Sequence, residues 1–280
     1  MTWQNSVSMS IGRAVCPDVN TLVSNDSGAG NISAIDAFYA ATHPTLTKID
    51  PGFIALYGND IAGLLFVGLI SATENYFRDA LGFILTVCPV AQAHSADEKV
   101  QLGSLLWAEN HLQNRSAFEF MAFSNAENIQ KAIKNFACIQ IKSGGTFDVM
   151  LKEYDKLCEL RHAVVHSGHI VAGKNAIKLG LAKTKKPLRV SLNYASLQAS
   201  GSVCTGLVQA ANNELFEAII SRWATAWRKQ SAWDPKKENA LFRKIRNGFL
   251  SQRDYDNKSI SQSYTESSLR AAVKTAFNLL

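Results

Sequence analysis

Thr146-Phe-Asp-Val-Met-Leu-Lys-Glu-Tyr-Asp-Lys-Leu-Cys-Glu-Leu-Arg-His-Ala-Val-Val-His166-Ser-Gly168 is the stretch on which the reading of this chain turns. Phe147, Met150, Leu151, Tyr154, Leu157 and Cys158 recur at three- and four-residue intervals, the period of a helix with one buried face. Thr146 or Asp148 starts that helix, and Ser167-Gly168 ends it near His166. Continued by one more turn, the stripe calls for an apolar residue at 161 or 162, where the chain has Arg161 and His162. A guanidinium in that place has to be paired or face a cleft or a partner, because a lone buried charge is too costly.

His166 follows Arg161 by five positions, about 140° around a helix, so the two side chains flank one groove. An imidazole moves protons near neutral pH, and a guanidinium grips a phosphate with two parallel hydrogen bonds. That pair suits cleavage of RNA by its own 2′-hydroxyl: the histidine manages the proton and the arginine stabilises charge on the phosphorus. A rival chemistry uses His162, His166 and His169 as metal ligands at i, i+4 and i+7. It lacks a neighbouring Asp, Glu or Cys, and Gly168 ends the helix before His169, so no metal and no cofactor are expected.

Upstream, Asn59 or Asp60 is expected to cap a helix running to about Val87, with Phe66, Ile70, Phe77, Leu81 and Ile84 on its inner face and Cys88-Pro89 closing it. Its strongest apolar run, Ile61 to Ile70, is too short to span a bilayer and leads into Glu74 and Arg78, so it reads as a buried helix with no membrane role. Glu74 stands on the apolar stripe between Ile70 and Phe77, and we expect it to orient Arg161 or to pair with Arg78. Further helices are expected over about 95–111, from a capping box at Ser124-Asn-Ala-Glu127 to about Ile139, over about 206–228, from Asp234-Pro235 to about Phe249, and at the C-terminus after a polar linker at 251–263. Residues 170–205 lack helical periodicity, and Leu188 to Leu192 reads as a short strand in a hairpin-like insertion. Trp223, Trp227 and Trp233 read as packing, and the basic residues of 236–246 as a solvated face.

The fold class implied is all-α: a polar segment over 1–55 with a turn at Asn25–Asn31, a helical domain over 56–230 and a helical extension over 231–280. At 280 residues and 47% hydrophobic content the chain can bury a sizeable core without staples. Five widely spaced cysteines with no C-x-x-C pair point to free thiols, and the N-terminus shows no signal peptide, so the expected compartment is the cytoplasm. The net charge of +6 is unevenly spread. Between Glu159 and Glu214 there is no acid, while Lys174, Lys178, Lys183, Lys185, Lys186 and Arg189 follow the histidines, a distribution suited to contacting RNA. Walker, Rossmann, nucleophile-elbow and H-E-x-x-H patterns do not occur.

Leu160-Arg-His-Ala-Val-Val-His166-Ser-Gly resembles the hallmark of the HEPN superfamily: an arginine, four to six residues with a polar one first, then a histidine near the end of a core helix. Ala72-Thr-Glu-Asn-Tyr-Phe-Arg-Asp-Ala-Leu81 is similar to the early HEPN helix that carries an acidic and a basic residue. The resemblance spans about residues 55 to 228. It implies a HEPN-like bundle and a homodimer in which two copies of the motif form one metal-independent endoribonuclease site. Arg161 would then bind the scissile phosphate, His166 would move protons, and His162, Glu74 and Arg78 would support them. It further implies RNA as substrate, a toxin or antiviral defence role, and an antitoxin or regulatory protein as partner. Because HEPN modules also include inert binding proteins, the alternative is a non-catalytic module that binds RNA or a protein.

Overall fold

The computed structural model describes residues 14–24, 32–108, 113–230, 233–260 and 264–279. They fall into two units, one ending at Asn31 and one running from Ile32 to Leu280. In the first, the 3₁₀ turn Val19–Thr21 forms where the Asp18 carboxylate accepts the Asn20 N–H. The turn expected at Asn25–Asn31 lies outside the described residues.

The second unit is all-α. Its helices are α1 (Ala34–Thr47), α2 (Pro51–Val87), α3 (Pro89–His94), α4 (Leu102–Trp107), α5 (Gln113–Ser116), α6 (Ala126–Ala137), α7 (Thr146–His166), α8 (Gly173–Lys178), α9 (Tyr194–Ala224), α10 (Glu238–Phe249), α11 (Gln252–Asp256) and α12 (Glu266–Ala276). Among the described residues the β-structure is one isolated antiparallel bridge, Ile170 with Arg189, rather than the strand expected at 188–192.

The division of the chain differs from the expected boundaries at 55 and 230. Residues 34–47, read as part of a polar segment, form α1: Ser33 caps it and Ile35, Phe38 and Tyr39 are buried. Four buried apolar residues, these three and Ala34, suffice because α1 lies against α2 and α9. Helix α10, beyond residue 230, likewise packs on α2 and α9, with the ring of Phe249 edge-on to Phe83 at 5.6 Å.

Three long helices make the centre. α2 starts at Asp50, whose carboxylate accepts the Phe53 N–H, with Pro51 at the first helical position. At Gly58 the backbone leaves the helix (φ 75°, ψ −170°), a left-handed φ that only glycine adopts without strain. Asn59 and Asp60 therefore follow a kink instead of capping a helix start. The apolar run from Ile61 is part of a helix of 37 residues, and α2 is long and apolar enough to cross a membrane by length and composition. Here it packs against α1, α7 and α9. Phe77 stacks on Phe147 (6.3 Å), whereas Gly63 lies under Val164 and His169, so α2 and α7 run antiparallel. α9 begins at Tyr194, after the Asn193 capping box and twelve residues before the expected start at Gly206. Its serines, glycines and alanines hid the helix from a hydrophobic count, yet they permit close approach: Gly201 faces Leu46 and Gly206 faces Met150.

Shorter elements also differ. Of the helix expected at 95–111, the described residues form α4 (Leu102–Trp107), separated from α3 by a turn at 95–97; 109–112 lie outside the described residues. α6 is capped by Asn125, which accepts the Asn128 N–H, and not by Ser124. The stretch read as a linker after 251 contains α11, capped by Ser251.

Candidate functional site

The first half of α7 is core: Phe147, Leu151 and Tyr154 are buried. Its last two turns emerge from that core. Arg161 is half-buried, and its Nε is fully enclosed yet has no hydrogen-bond partner. Among the described residues Arg161 makes no hydrogen bond and no ion pair. His162 and His166, one turn apart, are exposed with ring centroids 4.8 Å from each other. Val165 stands between Arg161 and His166 on the helical wheel and is itself 44% exposed, so this end of α7 presents a mixed cationic, imidazole and apolar face.

A second element closes α7. Gly168 (φ 53°) and His169 (φ 70°) are both left-handed, and the His169 N–H caps the helix by donating to the Ala163 carbonyl (2.9 Å). The turn swings the His169 side chain into the protein, where it is buried against Gly63. Its Nδ1 lies 3.6 Å from the Asp60 carboxylate and its enclosed Nε2 has no partner. His169 therefore diverges from His162 and His166. Among the described residues no group of three or more His, Cys, Asp or Glu is arranged to hold a metal.

The basic residues after α7 divide in two. Arg189 donates to the Gly168 carbonyl (3.1 Å) and lies 3.8 Å from Asp60, and Lys178 is ion-paired to Glu159. Asn59 holds the same segment from α2, donating to the Val190 carbonyl (3.1 Å) and accepting from the Leu192 N–H (2.7 Å). Lys174, Lys183, Lys185 and Lys186 are exposed and carry no acidic partner among the described residues. The stretch is thus acid-free in sequence but partly neutralised in space by Asp60 and by Glu159 at its border.

Glu74 and Arg78 belong elsewhere. Arg78 bonds the Glu74 carboxylate (3.1 Å), the Asn75 side chain (3.1 Å) and the Met121 carbonyl (3.0 Å), and its guanidinium lies 5.6 Å from the centre of the Phe123 ring. Since α2 and α7 are antiparallel, Glu74 faces the middle of α7, near Tyr154 and Cys158, while Arg161 lies toward Gly63. Burial, with a smaller contribution from Glu74, pushes the Tyr154 hydroxyl and the Cys158 thiol well above their usual ranges. Of the two expected roles for Glu74, pairing with Arg78 is the one the structure has.

Compared with models of known families, with curated proteins and with solved structures, the chain has no significant match.

Sequence reading missed Asn59, Asp60, Gly63, Glu159 and His169 as residues shaping this end of α7. One signal was present, the Gly58-Asn59-Asp60 break ahead of an apolar helix; the pairing of that break with residues 168–192 is long-range and leaves no local pattern.

Proposed function

We propose that this protein is a metal-independent endoribonuclease of the HEPN type, acting as a toxin or antiviral effector. The observation that carries the proposal is Arg161: a half-buried guanidinium with no partner among the described residues, next to two exposed imidazoles, at the open end of a core helix. A cation left unpaired in a folded protein costs stability, and an arriving phosphate diester supplies the missing acceptors. In the proposed reaction the 2′-oxygen attacks phosphorus, a base takes its proton, the bond to the 5′-oxygen breaks, and an acid protonates that leaving oxygen. The products are a 2′,3′-cyclic phosphate and a 5′-hydroxyl.

One protomer offers a single Arg161–His166 pair. Two protomers related by a two-fold axis offer two, so that one His166 serves as base and the other as acid. Lys174, Lys183, Lys185 and Lys186 then track the strand beyond the scissile phosphate. The proposed site needs no metal because arginine supplies the charge stabilisation.

The experiment is incubation of the purified protein with total RNA in EDTA, beside Arg161→Ala and His166→Ala. The expected result is cleavage with 2′,3′-cyclic phosphate ends, lost in both variants. Binding without cleavage would favour the non-catalytic module instead. Cleavage that persists in Arg161→Ala, or that EDTA abolishes, would overturn the proposal, as would full activity from a stable monomer. Toxicity on expression, relieved by the same substitutions, is the cellular counterpart.

A further inference from the structure

A cavity of about 470 Å³ lies between α9, α10, α11 and α12, with Ile35 of α1 also on its wall. It contains none of the α7 site residues. Its volume is within the range of small-molecule sites, roughly 300–1,000 Å³. Three features of its lining specify a ligand chemistry.

First, Phe216, Phe249 and Tyr255 supply flat apolar and aromatic surface. Second, α9 presents three amides, Gln209, Asn212 and Asn213, at i, i+3 and i+4 on one face. Asn212 is committed to the protein, donating to the Phe249 carbonyl (2.8 Å), whereas Asn213 has no hydrogen bond among the described residues and Gln209 uses only its N–H, toward Tyr39. The open amide groups offer adjacent donors and acceptors, the complement of the edge of a heteroaromatic ring.

Third, the cavity is electrically polar. Arg246 lines it, leaning over the Tyr255 ring at 5.9 Å, and among the described residues its hydrogen bonds are two long ones of 3.4 Å, to Asn247 and to the Tyr264 carbonyl. Arg243, Arg246 and Arg270 share one nearby carboxylate, Glu266, whose hydrogen bond goes to Arg243. Arg270 has no ion pair among the described residues. Asp254, which also lines the cavity, accepts the Tyr39 hydroxyl (2.9 Å). Among the described residues Arg246 thus lines the cavity as a cation without an ion pair, while the Asp254 carboxylate is engaged by Tyr39.

We infer that this cavity binds a small anionic molecule built on a heteroaromatic ring, of the size and chemistry of a mononucleotide, with the ring against Phe216, Phe249 and Asn213 and the anionic group on Arg246. This inference is separate from the reading of α7, and its test is run so that each can fail alone.

The experiment is isothermal titration of the full chain with the four nucleoside 5′-monophosphates, with adenosine and with inorganic phosphate, in the wild-type and Arg161→Ala backgrounds. At least one monophosphate is expected to bind once per chain with micromolar affinity, equally in both backgrounds. Adenosine and phosphate alone are each expected to bind at least about tenfold more weakly, since each keeps one half of the contacts. Arg246→Gln and Asn213→Leu are expected to weaken the monophosphate by at least about tenfold, and Arg246→Lys, which keeps the charge but loses the fork, by less. If Arg246→Gln does not fold, the comparison of probes on the wild-type chain decides. Absence of saturable binding by every monophosphate, adenosine binding as tightly as its monophosphate, or binding lost in Arg161→Ala would each overturn the inference.

Discussion

Arg78 and Arg161 occupy similar places and have opposite surroundings. Each interrupts the region of an apolar helical stripe, one on α2 and one on α7. Arg78 is fully used: a carboxylate, an amide, a carbonyl and an aromatic face take up its guanidinium, and its side chain is 17% exposed. Arg161 has an enclosed Nε and no partner among the described residues. A polar residue that breaks a pattern is therefore not informative by itself. What distinguishes an internal strut from a candidate site is whether the fold supplies the acceptors.

That contrast is open to direct challenge. The largest expected effect is on catalysis: Arg161→Ala should lower RNA cleavage about 10²–10³-fold, with the urea midpoint unchanged. Arg78→Ala should do the reverse, leaving Glu74 buried without its cation and costing about 3 kcal/mol in a urea titration, while RNA cleavage measured well below the midpoint persists. If Arg78→Ala silenced cleavage in protein that remained folded, the division between the two arginines would fail.

Next in size is Gly82→Ala, one turn beyond Arg78. A Cβ at Gly82 would come within 2.7 Å and 2.8 Å of the Arg115 backbone on α5, which has no freedom to swing aside as a side chain would. We expect a loss of about 1–3 kcal/mol, partly offset by alanine's better helix propensity, again without loss of cleavage. A smaller effect should separate the lysines. Lys185→Ala should reduce the slope of log affinity for single-stranded RNA against log salt by about 0.7, whereas Lys178→Ala, already paired to Glu159, should change it less.

The smallest effect concerns the two ends of α7. Asp148, in its first turn, accepts from Lys152 (2.8 Å) and from the Gly144 N–H (2.9 Å), and these bonds hold its carboxyl below the usual carboxylate range. A carboxyl lowered by folding contributes stability that is complete above its unfolded pKa and disappears as pH falls through the lowered value. Hydrogen exchange of residues 146–150 should therefore rise in acid, and Asp148→Asn should remove that pH dependence. An unchanged acid profile in the variant would show that this end is held by packing of Phe147 alone.

The legibility of the molecule follows from the range of the forces involved. α7 was readable because its stripe is local and strong, and its end at Ser167-Gly168 carries a backbone signal. α1 and the first turns of α9 were not, because their inward faces are built from few apolar or small residues that gain meaning only against a neighbour, as Gly201 does against Leu46. The capping residue of α6 moved by one position, from Ser124 to Asn125, between two adjacent residues that can both accept a helix N–H. At the candidate site, Arg161, His162 and His166 could be picked out as residues in the wrong place for a core helix. Asp60, Asn59 and His169 could not, because their roles depend on chain segments more than a hundred residues apart being brought together.

By itself the sequence determined that the chain is helical, that α7 carries a cation and two imidazoles at its open end, and that a basic stretch follows. These are consequences of period, of side-chain chemistry and of local backbone preference. Tertiary structure alone decided which charges are spent. It gave Arg78 to Glu74, Lys178 to Glu159 and Arg189 to the Gly168 turn, turned His169 inward against Gly63, and left Arg161 without a partner. Electrostatic and hydrogen-bond partners act over a few ångströms in space, with no bound on their separation along the chain, so their pairing is a property of the fold.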